Sequence, residues 1–290
     1  MPLPIGLPIV DHHCHLSPAG EGVAAARRFR AAGGTHLFLA TQNYGPGPAV
    51  TLEDYRRQFD TTERLGRQVE AEAGVRVYLV VAPYPIDLIG ASAAIGPEAA
   101  FAAHAEALEL AGAWVKERRA VALGEVGRAH FPVAAPAQEL LERALQKAFE
   151  VARDVGCPIV FHSADLEPSD FLALAAFARA AGVPAGRVVK HFARKRWTSE
   201  EYAGIVPSYL ARRELVREVR PDPGPWFLET DFLDDPKRPG AVLDLATVPR
   251  RAAAWSAEGE AMSERLRVPF VESVRQVYGF EPELTGGRPR

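Results

Sequence analysis

Short apolar runs alternate along this chain with longer stretches in which apolar positions recur every three or four residues. The apolar runs at 5–10, 36–40, 75–82, 120–126, 158–161, 187–190, 203–210 and 226–230 read as buried strands. Between them, 20–32, 52–73, 97–119, 137–155, 168–181 and 212–220 read as helices, three of them stopped by glycine at Gly33-Gly34, Gly74 and Gly156. Pro83-Tyr84-Pro85 closes the third strand. Residues 247–280 carry two or three further helices, and 281–290 lacks apolar periodicity and reads as a frayed end. Strands alternating with helices indicate βαβ units on a parallel sheet. About eight such units predict an α/β fold, a (β/α)8 TIM barrel with C-terminal closing helices, ahead of a doubly wound open sheet. No composition break or linker divides the chain, so a single domain over 1–290 is expected.

Composition adds exclusions. A hydrophobic fraction of 48% and a charged fraction of 24% are those of a globular protein, and a net charge of −3 gives no whole-chain attraction for nucleic acid. Any anion site must come from a local patch. No apolar run approaches the roughly 20 residues that span a bilayer, and the Met1-Pro2-Leu3-Pro4 start lacks the charged region of a signal peptide. Two cysteines, Cys14 and Cys157, make no disulfide framework, which points to a reduced, cytoplasmic setting without membrane partners.

The chemistry begins at Asp11-His12-His13-Cys14-His15, at the end of the first apolar run. Strand alternation puts Asp11, His13 and His15 on one face, where two imidazoles and a carboxylate can converge on a cation. It puts His12, Cys14 and Leu16 on the other, aiming the thiol away from the imidazoles. Other ligand-type residues fall at the ends of later strands: Glu125 after the fourth, His162 after the fifth, His191 after the sixth and Asp231 after the eighth. In a parallel barrel these ends share one face, where active sites sit. A single histidine at a strand end is more often a hydrogen-bonded structural residue; six ligand-type residues falling there together point to metal. Four histidines and two carboxylates suit two divalent ions, with Zn, Mn or Ni favoured over Mg.

The motifs Asp11-His-His-Cys-His15, Gly124-Glu-Val-Gly127, Phe161-His-Ser163, Val189-Lys-His191 and Leu228-Glu-Thr-Asp231 resemble, in order, those of the TatD-related metal-dependent hydrolases of the amidohydrolase superfamily, most strongly an archaeal branch. The resemblance spans residues 11–231. It implies that His13 and His15 bind a first metal, Glu125 bridges, His162 and His191 bind a second, and Asp231 completes the first site and acts on the catalytic water, making Asp231 and Glu125 the catalytic pair. TatD-type nucleases tend to carry Asp soon after the Gly-Glu motif and Arg after His-Ser. Here those places read Arg128-Ala129-His130 and Ala164-Asp165.

The loops are expected to set the substrate. Arg194, Lys195, Arg196 and Trp197 follow His191 and either hold a phosphate and stack a base or form a solvated turn paired with Glu200 and Glu201. Arg128 is the replacement candidate for the missing phosphate arginine. His130 is a candidate substrate contact, and Tyr44 either faces the pocket or packs in its loop. Asp234-Asp235 read as a turn cap ahead of a role behind the metals. His36 and His104 read as structural. The leading function is therefore a binuclear hydrolase (deoxyribonuclease-like) in which activated water attacks a phosphodiester, including a DNA or RNA end. The alternatives are an amidohydrolase acting on a small amide, lactone or ester, and a non-catalytic metal-dependent binding protein.

Overall fold

The computed structural model describes residues 6–219 and 222–283. The expectations for the first five residues and for the end beyond 283 lie outside them. The elements run β1 (Val10–His15), α1 (Val23–Ala31), β2 (His36–Ala40), α2 (Leu52–Ala73), β3 (Arg76–Val81), α3 (Pro85–Ile95), α4 (Pro97–Lys116), β4 (Ala122–Gly127), α5 (Ala135–Val155), β5 (Ile159–His162), α6 (Pro168–Ala180), β6 (Val188–Ala193), β7 (Val206–Leu210), α7 (Arg213–Val219), β8 (Phe227–Glu229), β9 (Phe232–Leu233), α8 (Thr247–Ser256), α9 (Glu260–Arg265) and α10 (Ser273–Tyr278), with a π-turn at Val268–Glu272 before the last.

Local signals account for most of these. Thr51 and Asp54 cap α2 reciprocally, and Gly74 ends it in the left-handed conformation at φ 64°. Between the caps, Phe59, Leu65 and Val69 bury one stripe in the main core, and Tyr55 packs beside Ala107 and edge-on to His104 of α4. The helix with no sequence expectation is α3. Its apolar positions show no polar opposite face, so periodicity does not reveal it, although Pro85 sits at its first turn where proline is tolerated.

All strand pairs are parallel, in one sheet of order β8-β7-β6-β5-β4-β3-β2-β1-β9. The two edge strands are consecutive in the chain and separated only by Thr230 and Asp231, so the sheet must curl until its two edges meet. Asp231 N–H donates to His13 O at 2.9 Å, and Thr230 N–H and Oγ1 donate to the Asp11 carboxylate at 3.0 and 2.7 Å. This is an α/β fold on a curled parallel sheet, as in a TIM-like barrel. The strand expected at 226–230 is β8, and the short strand β9, which has no counterpart in the sequence reading, follows at 232–233.

One expectation on β1 is corrected. Asp11 pairs with Leu37 and Cys14 with Leu39, so two residues, His12 and His13, oppose Phe38 alone. This bulge breaks the alternation. Asp11 is turned to Thr230 and joins no ligand group. His12 stacks on Phe227 with centroids 3.8 Å apart and bonds Tyr278 Oη through Nε2 at 2.7 Å, tying α10 to β1. Cys14 does face away: its buried Sγ lies 3.6 Å from Phe38 O.

Candidate metal centre

The ends of β1, β4, β5 and β6 and the gap between β8 and β9 deliver six side chains to one place. His13, His15, Glu125 and Asp231 form one group with ligand atoms within 4.8 Å of one another, and Glu125, His162 and His191 form a second. Glu125 is the shared member. Its Oε1 lies 2.7 Å from His13 Nε2, 3.5 Å from His15 Nε2 and 3.2 Å from His191 Nε2, while Oε2 lies 3.2 Å from His162 Nδ1. Asp231 Oδ1 stands 3.7 and 3.6 Å from the Nε2 atoms of His13 and His15.

Backbone detail aims these groups. Gly127, at φ 151°, leaves room for the neighbouring strand: a Cβ there would lie 2.0 Å from His162 O. Asp231 sits at φ 45°, in the left-handed region that aspartate tolerates better than most residues. Asp234 accepts from the N–H groups of Ser17, Glu21 and Gly22 at 2.7–2.9 Å and so ties down the loop after β1, while Asp235 accepts from the Lys237 N–H at 2.9 Å and caps its own turn.

Burial governs the electrostatics. It drives the His13 and His191 rings down from their ordinary value and pushes the Asp231 carboxyl up to about 7, with His15 opposing. Burial also works to raise Glu125, but the surrounding histidines, His191 and His162 foremost, hold it well below the usual carboxylate range. His15 is raised because Glu125 and Asp231 outweigh its burial. Buried Lys190, beside His191, is lowered to about 8 by desolvation.

This donor set fits divalent cations. His13 and His15 face each other through Nε2 at 3.1 Å, and His162 Nδ1 faces His191 Nε2 at 3.0 Å. Ring nitrogens so placed repel unless a proton or cation lies among them, and imidazole with carboxylate is the donor chemistry of first-row transition ions.

Above the ligands opens a cavity of about 530 Å³. His130 and Arg194 line it; Arg128, Lys195 and Trp197 do not. Arg128 forms a two-point pair with Glu142 at 2.6 and 3.0 Å. Arg194 pairs with Asp165 at 2.8 Å, Lys195 with Glu167 and Arg196 with Asp222. Trp197 donates its indole N–H to Leu166 O at 3.2 Å. The basic turn is thus ion-paired, with other partners than Glu200 and Glu201. Tyr44 turns from its loop to α2, its hydroxyl 3.0 Å from Thr62 Oγ1. His130 Nδ1 lies 2.9 Å from His162 Nε2. Sequence reasoning missed Tyr84, whose hydroxyl is 3.4 Å from His162 Nε2, and Asp87, pushed up to about 6 by burial. Both line the cavity from the start of α3, the helix without a periodic signal.

Comparisons with known proteins agree on the fold. An uncharacterised protein, MJ1127, of Methanocaldococcus jannaschii is 28% identical over 281 residues, covering 96% of this chain and 98% of its own. The YJJV TatD homologue of Escherichia coli superposes with a TM-score of 0.59 at 18% identity over 94% of this chain and 98% of that one. A PTE-like lactonase of Deinococcus radiodurans, solved as a mutant, superposes with a TM-score of 0.58 at 16% identity over 96% and 97%. The family model described as TatD related DNase matches residues 10–279, from β1 to the end of α10, and the chain belongs to that family of hydrolases.

Proposed function

We propose that the protein is a binuclear metal-dependent hydrolase whose preferred substrate is a small ester, lactone or amide. The observation that carries this is the pair of ligand groups sharing Glu125 at the floor of a cavity of about 530 Å³, the size of a small-molecule site. His13, His15 and Asp231 would hold one ion and His162 and His191 the other, with Glu125 belonging to both groups. Zn, Mn or Ni suits this set better than Mg. When bound, such ions supply Lewis acidity, polarising the scissile oxygen and acidifying the attacking water. Asp231, half-buried at the floor, takes the water's proton and passes it to the leaving group. In this assignment β8 and β9 count as one interrupted strand of a (β/α)8 barrel closed by the C-terminal helices. The work is done in the cytoplasm, where the two buried free thiols stay reduced.

A phosphodiester, including a DNA or RNA end, is the second reading, favoured by the family's description. Against it weigh the ion pairs. Arg194 reaches the cavity already paired to Asp165, and Arg128, Lys195 and Arg196 are engaged by carboxylates elsewhere. A polyanion would have to displace those partners before gaining their charge. The deciding experiment is an activity panel with Zn²⁺, Mn²⁺ and Mg²⁺ on lactones, p-nitrophenyl esters, p-nitrophenyl phosphodiesters and single-stranded DNA. Lactone or ester turnover well above nuclease turnover is expected. The reverse order returns the phosphodiester to first place, and no hydrolysis with a protein that binds no metal defeats the assignment.

A further inference from the structure

Behind the second ligand group lies a carboxylate that the mechanism does not use. Glu229, the last residue of β8, is fully buried. Its Oε1 accepts from the Phe192 N–H at 2.6 Å and lies 3.5 Å from His191 Nδ1. One oxygen therefore touches two consecutive residues of β6, the ring of a metal-group histidine and the backbone just after it. That backbone is unusual: Phe192 has φ 57°, a left-handed conformation costly for a side-chain-bearing residue, where the β6–β7 register shifts between Lys190 and Ala193. His191 presents its other nitrogen, Nε2, to Glu125 at 3.2 Å.

Burying a carboxylate without full pairing is expensive, so its position needs a reason. Lys190 is near, but its ammonium bonds the carbonyls of Ser163 and His191 rather than Glu229. Among the described residues His191 Nδ1 and Glu229 Oε2 have no hydrogen bond of normal geometry, although the Ser208 hydroxyl is near enough to Glu229 to favour its charged form. A histidine that ligates through Nε2 must carry its proton on Nδ1, and a carboxylate on that side fixes the tautomer and the ring's orientation.

We propose that Glu229 is a positioning residue for the second ligand group, holding the His191 ring through Nδ1 and the bent backbone through Phe192 N so that Nε2 stays aimed at Glu125. The inference rests on the metal-dependent reading above. It also separates the two groups: among the described residues the Nδ1 atoms of His13 and His15 have no hydrogen-bond partner.

The test is Zn²⁺ titration of wild type and Glu229→Gln under chelator competition, with folding checked by circular dichroism. Glutamine keeps an acceptor for Phe192 N–H but removes the charge from His191. One of the two stepwise affinities should weaken about 10- to 100-fold while the other stays near its wild-type value. A Glu229→Asp variant, keeping the charge one methylene further back, should fall between. Unchanged affinities in Glu229→Gln overturn the inference and leave the metal-dependent reading standing. A wild type that takes up no Zn²⁺ overturns both. Should the glutamine variant fail to fold, nitrogen-15 NMR of the zinc-loaded wild type decides, with His191 assigned by its loss in His191→Asn. A protonated Nδ1 supports the role, and a proton on Nε2 overturns it.

Discussion

At the scale of single residues, substitutions at Asp231 and His15 test the proposed base against a proposed ligand. Asp231→Asn keeps the shape and an oxygen but loses the base, so turnover should fall about 10²- to 10⁴-fold. The second group, which does not include Asp231, should still hold metal. His15→Ala should lose metal from the first group and activity together. Metal content and kcat are measured on the same preparations, and full turnover in a metal-replete Asp231→Asn rules Asp231 out as the base. These six residues were legible because each follows an apolar run, and the end of a buried strand is a poor place for an imidazole without a partner. Asp11 misled because alternation assumes an unbroken ladder. A bulge is a matter of pairing with β2 and leaves no mark in β1 itself. Away from the site, His104 on α4 is held down to about 3 by burial against an ordinary value of 6.5. A depressed histidine adds stability in full above its unfolded pKa, and that contribution is lost as pH falls toward the folded value. At pH 5 the loss is about 2 kcal/mol, one and a half pH units at 1.36 kcal/mol each. His104→Phe should therefore lose less Tm than wild type between pH 7.5 and pH 5. Equal slopes would show that the ring does not stay neutral.

At the scale of elements, the β4–β5 pair depends on Gly127. An added methyl would lie 2.0 Å from His162 O, in a backbone conformation at φ 151° that side chains avoid. Gly127→Ala should cost on the order of 2–3 kcal/mol and push β5 back. Because His162 ends that strand, metal should leave the second group before the fold is lost. Calorimetry with metal analysis checks this, and a stable variant with its full metal complement would show that the strand ends can shift freely. Strands and long helices were readable from the chain because burial imposes a period on it, and β2 and α2 fall on the residues expected. The helix α3 was not. It is short and apolar on most sides, so the 3.6-residue signal is lost, and with it went Tyr84 and Asp87. Ion pairing of the basic turn was equally hidden. Its partners Asp165, Glu167 and Asp222 come from other loops, and sequence proximity favoured Glu200 and Glu201 instead.

At the scale of the whole molecule, the sheet's two edges meet at Thr230 and Asp231, and Thr230 bonds Asp11 across 219 positions of chain. The first ligand group straddles this seam, with two histidines from the first strand and an aspartate from between the last two. The second group draws on the middle of the chain, where His162 and His191 stand 29 positions apart. That layout imposes an order in time. Closing a short loop costs less entropy than closing one that spans most of the chain, so the middle strands can pair before the seam forms. Refolding in the presence of Co²⁺ should therefore show two absorption phases. The early one should survive in His15→Ala and the late one should vanish, and a single phase in wild type would show that the groups assemble together. On a ribosome the same order is written into the chain: Glu125, His162 and His191 are made before Asp231, so a nascent chain would carry every residue of the second ligand group before it carried the residue proposed as the base.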